Sequence, residues 1–89
     1  MEIETEIEEL IKEQVVNQKQ IVLYNDDVNS FEHVIECLIK YCKHTPNQTE
    51  QCTLIIHYNG KCSVKAGGFD DLLPIYTAMI DNKLSASIE

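Results

Sequence analysis

The uninterrupted apolar run Ile21-Val22-Leu23-Tyr24 constrains this fold more than any other stretch of the chain. A strand with one face in water alternates apolar and polar residues. A run without alternation predicts a strand over 19–25 that is buried on both faces or held centrally between neighbours. Such a strand needs a sheet around it and helices to cover it. The 89 residues suffice for one small domain, which buries only about 60–65% of its unfolded surface.

The rest of the chain supplies those partners. Phe31, Val34, Ile35, Leu38, Ile39 and Cys42 recur at helical spacing. They predict an amphipathic helix that Asn29 or Ser30 caps and that ends near His44. Thr45-Pro46-Asn47-Gln48 predicts a second helix start, with Thr45 as cap, Pro46 at the first helical position and Gln48 completing a capping box. That helix turns Cys52, Ile55 and Ile56 inward and stops at Asn59-Gly60. Residues 61–66 alternate as a half-buried strand, with Cys62, Val64 and Ala66 on one face, and Gly67-Gly68 breaks it. Asp70 or Asp71 starts a third helix, which tolerates Pro74 by having it in the first turn and ends near Asn82. Leu84, Ala86 and Ile88 alternate with Ser85, Ser87 and Glu89 as a last strand. The expected fold is α+β, in the order β-α-α-β-α-β: one three-stranded sheet with three helices over 19–89. Residues 1–18 form an acidic extension, partly helical or flexible, with a thin stripe of Ile3, Ile7, Leu10 and Ile11.

Charge narrows the function. The net charge is −8 and the chain has no arginine, which argues against nucleic acid and against an anionic membrane surface. No apolar run is long enough for a transmembrane helix, and no signal peptide is visible. A cytoplasmic protein is expected, with Cys37, Cys42, Cys52 and Cys62 reduced and mostly buried. His33 and Cys37 share a helix face near Cys42 and His44, but no paired-ligand motif is present, so no metal or other cofactor is expected.

The polar signals sit at element ends. Asn25-Asp26-Asp27 closes the first strand, and His57-Tyr58-Asn59-Gly60-Lys61 closes the second helix. If they meet, they form a small polar cup beside a hydrophobic floor. Each has a plain structural reading as well: Asn and Asp favour turns, a helix-end histidine can bond a carbonyl, and Phe31 and Val34 can be ordinary core. Catalysis has little support. No nucleophile elbow, phosphate loop or zinc-protease motif occurs, and Cys52 and His57 are poorly spaced for a thiolate–imidazole pair. The chain is not expected to be an enzyme, though Asp26, Asp27 and His57 are the residues a small enzyme would use.

Those two motifs, in this order and at this distance, resemble the ClpS family of Clp protease adaptors. The likeness runs from about Ile21 to Glu89 and includes the closing Leu84-Ser85-Ala86-Ser87-Ile88-Glu89. It implies a three-strand, three-helix fold and an adaptor that binds the free N-terminus of a protein beginning with Leu, Phe, Tyr or Trp. The adaptor delivers that protein to a Clp AAA+ unfoldase, whose N-terminal domain is the implied partner. Asn25, Asp26 and His57 match the α-amine-binding positions. An ammonium has three donors and no acceptor, so it needs converging acceptors, and His57 must present a bare ring nitrogen. Phe31, Val34, Thr53 and Leu84 match the hydrophobic pocket, and Asp27 and Asn29 turn or supporting positions. The chain departs from the family pattern at Asn29, often Thr, at Phe31, often Met, and at Thr53, often a bulky Met at the pocket mouth. Two other readings stay open: an adaptor that docks to the unfoldase or another partner without a working pocket, and an interaction domain like that of the ribosomal stalk, which is similar in fold but lacks the amine cup.

Overall fold

Strand β1 (Gln18–Tyr24) lies at the centre of a three-stranded antiparallel sheet of order β2-β1-β3, as its apolar run requires. The computed structural model describes residues 18–89. The acidic extension expected over 1–18 therefore falls, apart from Gln18, outside the described residues. The elements follow the expected order: α1 (Phe31–Cys42), α2 (Pro46–Asn59), β2 (Lys61–Gly68), α3 (Phe69–Asp81) and β3 (Ala86–Ile88). The fold is α+β.

Pairing runs Tyr24↔Lys61 to Gln18↔Gly68 on one side of β1 and Ile21↔Ile88 to Leu23↔Ala86 on the other. Ile21 and Leu23 project from one face of β1. They join Val64 of β2, Cys37, Leu38 and Cys42 of α1, Cys52 and Ile56 of α2, Leu72 and Met79 of α3, and Leu84 in one core. Val22 alternates to the other face; it is buried too, outside that cluster.

The helix ends follow from local chemistry. Ser30, not Asn29, caps α1, its hydroxyl accepting from the His33 N–H. Thr45 and Gln48 form the reciprocal capping box of α2 around Pro46. Gly60 ends α2 at φ 86°, a left-handed conformation that suits a residue without Cβ.

Four sequence expectations need correction. Ile55 faces outward and Thr49 takes the buried place; the Thr49 hydroxyl can go inside because it donates to the Thr45 carbonyl at 3.0 Å. Strand β2 runs through Gly67-Gly68, because both are paired with β1, and Gly67 adopts the φ of 159° that suits glycine. Ala66 is exposed although Cys62 and Val64 turn inward, since a bulge opposite Ile21/Val22 leaves Val64 as an extra residue and shifts the register. Helix α3 starts one residue before Asp70, with Gly68 as a cap that makes no side-chain bond. The two aspartates occupy its first turn, where the positive end of the helix dipole favours them. Pro74 consequently lies in the second turn, where its missing N–H leaves the Asp70 carbonyl without that helical partner. Among the described residues no helix is long and apolar enough to cross a membrane.

Candidate functional site

The two polar motifs meet where β1 hands over to α1. The last rung of β1 and β2 pairs Tyr24 with Lys61. One residue on, the Asn25 N–H donates to the Gly60 carbonyl at 2.8 Å. Asn25 is thereby fixed against the α2 cap, three residues beyond His57 in the last turn of α2.

Asp26 organises the corner. Its Oδ1 accepts from the backbone N–H of Val28 at 3.0 Å and of Asn29 at 2.8 Å. Its Oδ2 accepts from the Asn29 amide and the Ser85 hydroxyl, each at 2.8 Å. The Asn29 backbone donor, foremost, holds the Asp26 carboxyl below the ordinary aspartate range; burial opposes this, and the Asn29 amide, Ser85 and Val28 add to it. Asp26 is thus an anion within a finished turn. Asn29 is a strut, its amide donating also to the Lys83 carbonyl at 2.9 Å. Asp27 points to solvent.

A cavity opens beside this carboxylate. It is lined by Leu23, Tyr24, Asn25, Asp26, Asn29, Phe31, Val34, Thr53, Ile56 and Leu84. All four residues expected to form an apolar pocket are among them, together with the polar Asn25, Asp26 and Asn29. The walls come from different elements: Phe31 and Val34 are a helical turn apart on α1, Thr53 and Ile56 are likewise spaced on α2, and Leu84 closes from the α3–β3 link. Thr53 donates its hydroxyl to the Thr49 carbonyl at 2.7 Å. Its remaining branch is a methyl, so it contributes an apolar wall. The open space is small, about 20 Å³, room for roughly one water.

His57 is not a wall of this cavity. It is exposed on the rim and meets Phe31 edge-on with ring centroids 5.9 Å apart, and Tyr58 similarly at 5.1 Å. Phe31, itself a wall of the cavity and 52% exposed, is the lining residue that His57 touches. The structure therefore brings Asn25 and Asp26 together with the apolar residues and leaves His57 on the rim, against Phe31.

Sequence reasoning missed Leu23, Tyr24, Ile56 and Ser85. Ser85 reaches Asp26 across 59 residues and has no local signal. Leu23 and Ile56 read as core, which they also are. The other two histidines are occupied by backbone: Nε2 of His33 lies 2.8 Å from the Asn82 carbonyl, and Nε2 of His44 2.6 Å from that of Val64. Among the described residues no group of three or more His, Cys, Asp or Glu side chains is arranged to hold a metal.

The chain matches the family model described as ATP-dependent Clp protease adaptor protein ClpS over residues 14–81. Three proteins, each named ATP-dependent Clp protease adapter protein ClpS, are similar to it. That of Thermosynechococcus vestitus is 38% identical over 63 residues, covering 70% of this chain and 66% of the relative. That of a Nostoc species is 46% identical over 52 residues, covering 57% and 53%. That of a Synechocystis species is 38% identical over 49 residues, covering 54% and 50%. The chain thus spans between half and two thirds of the length of these relatives.

Proposed function

The chain belongs to the ClpS family of ATP-dependent Clp protease adaptors, a family of adaptors and not of enzymes, and from that premise we propose that it binds the free N-terminus of proteins beginning with Leu, Phe, Tyr or Trp and delivers them to a Clp AAA+ unfoldase. One observation carries this reading: the Asp26 carboxylate, held ionised, and the carboxamides of Asn25 and Asn29 line the same cavity as Leu23, Phe31, Val34, Ile56 and Leu84. A peptide N-terminus presents that same pair of demands, an ammonium beside a hydrophobic side chain.

The chemistry divides between the polar and the apolar residues. The Asp26 charge attracts the ammonium through a charge-assisted contact. Its four donors already fill both carboxylate oxygens, so the ammonium takes the place of one of them. The exposed Ser85 hydroxyl yields most easily, because it can rotate to water. Asn25 offers its amide oxygen, and His57 a neutral ring nitrogen once Phe31 moves. The first side chain then enters among Phe31, Val34, Thr53 and Leu84, where burying a Leu or Phe is worth roughly 1.5–3 kcal/mol. Phe31 must swing outward first, because the present space admits little more than a water.

The test is fluorescence anisotropy of a labelled peptide beginning with Leu or Phe, with the same peptide acetylated at its N-terminus as control. Binding that disappears on acetylation is expected. Binding of both peptides, or of neither, overturns the reading. The small cavity and the filled Asp26 oxygens favour a second reading, an adaptor that docks to the N-terminal domain of an unfoldase without a working pocket. That protein would bind the unfoldase domain but neither peptide.

A further inference from the structure

Two cysteines outside the cup stand in direct contact. Sγ of Cys52, on α2, lies 2.8 Å from Sγ of Cys62, on β2. Both are thiols here. Two non-bonded sulfurs seldom come so close, and a covalent bond at about 2.05 Å needs them to move less than 1 Å nearer. Cys52 is buried and Cys62 half-buried, so a reagent in solution reaches Cys62 first and finds Cys52 directly behind it. Cys37 and Cys42 lack this arrangement: both are buried, and the sulfur contact of Cys42 is with Met79 at 3.9 Å.

We propose that Cys52 and Cys62 are a site of reversible disulfide formation, with a low-molecular-weight disulfide such as oxidised glutathione as the oxidant. The Cys62 thiol loses its proton to solvent, and the thiolate attacks one sulfur of the oxidant. The S–S bond of the oxidant breaks and one small thiolate leaves, taking up a proton. Cys52 then gives up its proton, its sulfur attacks the Cys62 sulfur of the mixed disulfide, and the second small thiol departs. Two protein thiols are oxidised to one disulfide, and one disulfide is reduced to two thiols. Burial, and after it the neighbouring Cys62 sulfur, pushes the Cys52 thiol well above the ordinary cysteine range. This assigns Cys62 the attacking role and Cys52 the resolving one. The product would tie α2 to β2 across the Gly60 turn. Cys62 is paired with the cavity residue Leu23, and the closed segment includes Thr53, Ile56 and His57.

The experiment is incubation of the full chain with oxidised glutathione, followed by thiol titration, intact mass and tryptic mapping without reductant. Titratable thiols are expected to fall from four to two, with the mass lower by two hydrogens. The tryptic peptides 44–61 and 62–65 should be joined, and dithiothreitol should separate them. Cys62→Ser should lose the link, and Cys42→Ala should keep it. Persistence of four thiols, a glutathione adduct that stays on Cys62, or a link through Cys37 or Cys42 would each overturn the proposal. None of these readouts involves peptide binding, so the result is separate from that of the pocket.

Discussion

The Asn25 N–H donates to the Gly60 carbonyl at 2.8 Å, and this bond joins the two polar motifs of the chain. It extends the β1–β2 ladder by one residue at the point where both strands end. Asn25 is therefore positioned by sheet geometry, whereas Asp26, the next residue, is positioned by its own turn.

That difference shapes the test of Asp26. Removing its carboxylate with Asp26→Ala also removes the acceptor for four donors, so lost binding in that variant would mix site and turn. Asp26→Asn keeps an oxygen for the Val28 and Asn29 backbone donors and removes the charge. It is expected to weaken a Leu-initiated peptide by about 10–100-fold, the worth of one charged hydrogen bond. Its melting temperature should stay closer to that of the parent than does that of Asp26→Ala. Anisotropy paired with thermal denaturation separates the two effects.

Acid should loosen this corner. The folded Asp26 carboxyl lies below its ordinary value, so the folded state binds the proton less readily than the unfolded chain. Its contribution to stability is then fully present above the unfolded value, near pH 4, and is lost as pH falls through the folded value. Asp26→Asn should flatten that part of the stability curve. Melting temperatures between pH 6 and pH 2 provide the comparison.

Thr53 sets the width of the cavity from the α2 side. Thr53→Met inserts a longer apolar chain in the same wall. It should disfavour a first residue branched at Cβ more than it disfavours Leu, raising the ratio of Val-peptide to Leu-peptide dissociation constants by about 10-fold, the worth of one misplaced methylene in an apolar pocket. An unchanged ratio would mean that the first side chain does not pass Thr53.

The link before β3 turns through Lys83 at φ 68°, a left-handed conformation that costs a residue with Cβ roughly 1 kcal/mol. The same turn presents the Lys83 carbonyl to Asn29 and delivers Leu84 to the cavity. Lys83→Gly relieves the Cβ strain but loosens the unfolded chain, so stability should change by less than about 1 kcal/mol. Lys83→Val should destabilise by about 1–2 kcal/mol, because a β-branched residue is disfavoured further at positive φ. Urea denaturation of the two variants distinguishes them.

Elements governed by neighbours along the chain are legible in the sequence alone. The α2 capping box, Gly60 and the central place of β1 each follow from a few adjacent residues. What depends on distant partners is not. Ile55 and Ile56 are equally apolar, and only the packing of α2 decides which goes inside. Gly67-Gly68 reads as a break, yet the partner strand β1 carries it as sheet. The turn at Asp26 is legible from its neighbours, but its fourth donor, Ser85, comes from the far end of the chain and is not. Phe31, Val34, Thr53 and Leu84 are legible as cavity residues only through the family resemblance, since their spacing alone reads equally as core; the edge contact of Phe31 with His57 has no signal along the chain.

Among the described residues the sheet has two outer edges, β2 and β3, and both are poor templates for another chain. Strand β3 is three residues long, too short to guide a fourth strand. Strand β2 is longer, but its bulge at Val64 breaks the even spacing of backbone groups that an incoming strand would have to match, and Lys61 and Lys65 flank the break. The irregularity that complicates the pattern of β2 therefore also guards the protein against self-association through its sheet when it is crowded.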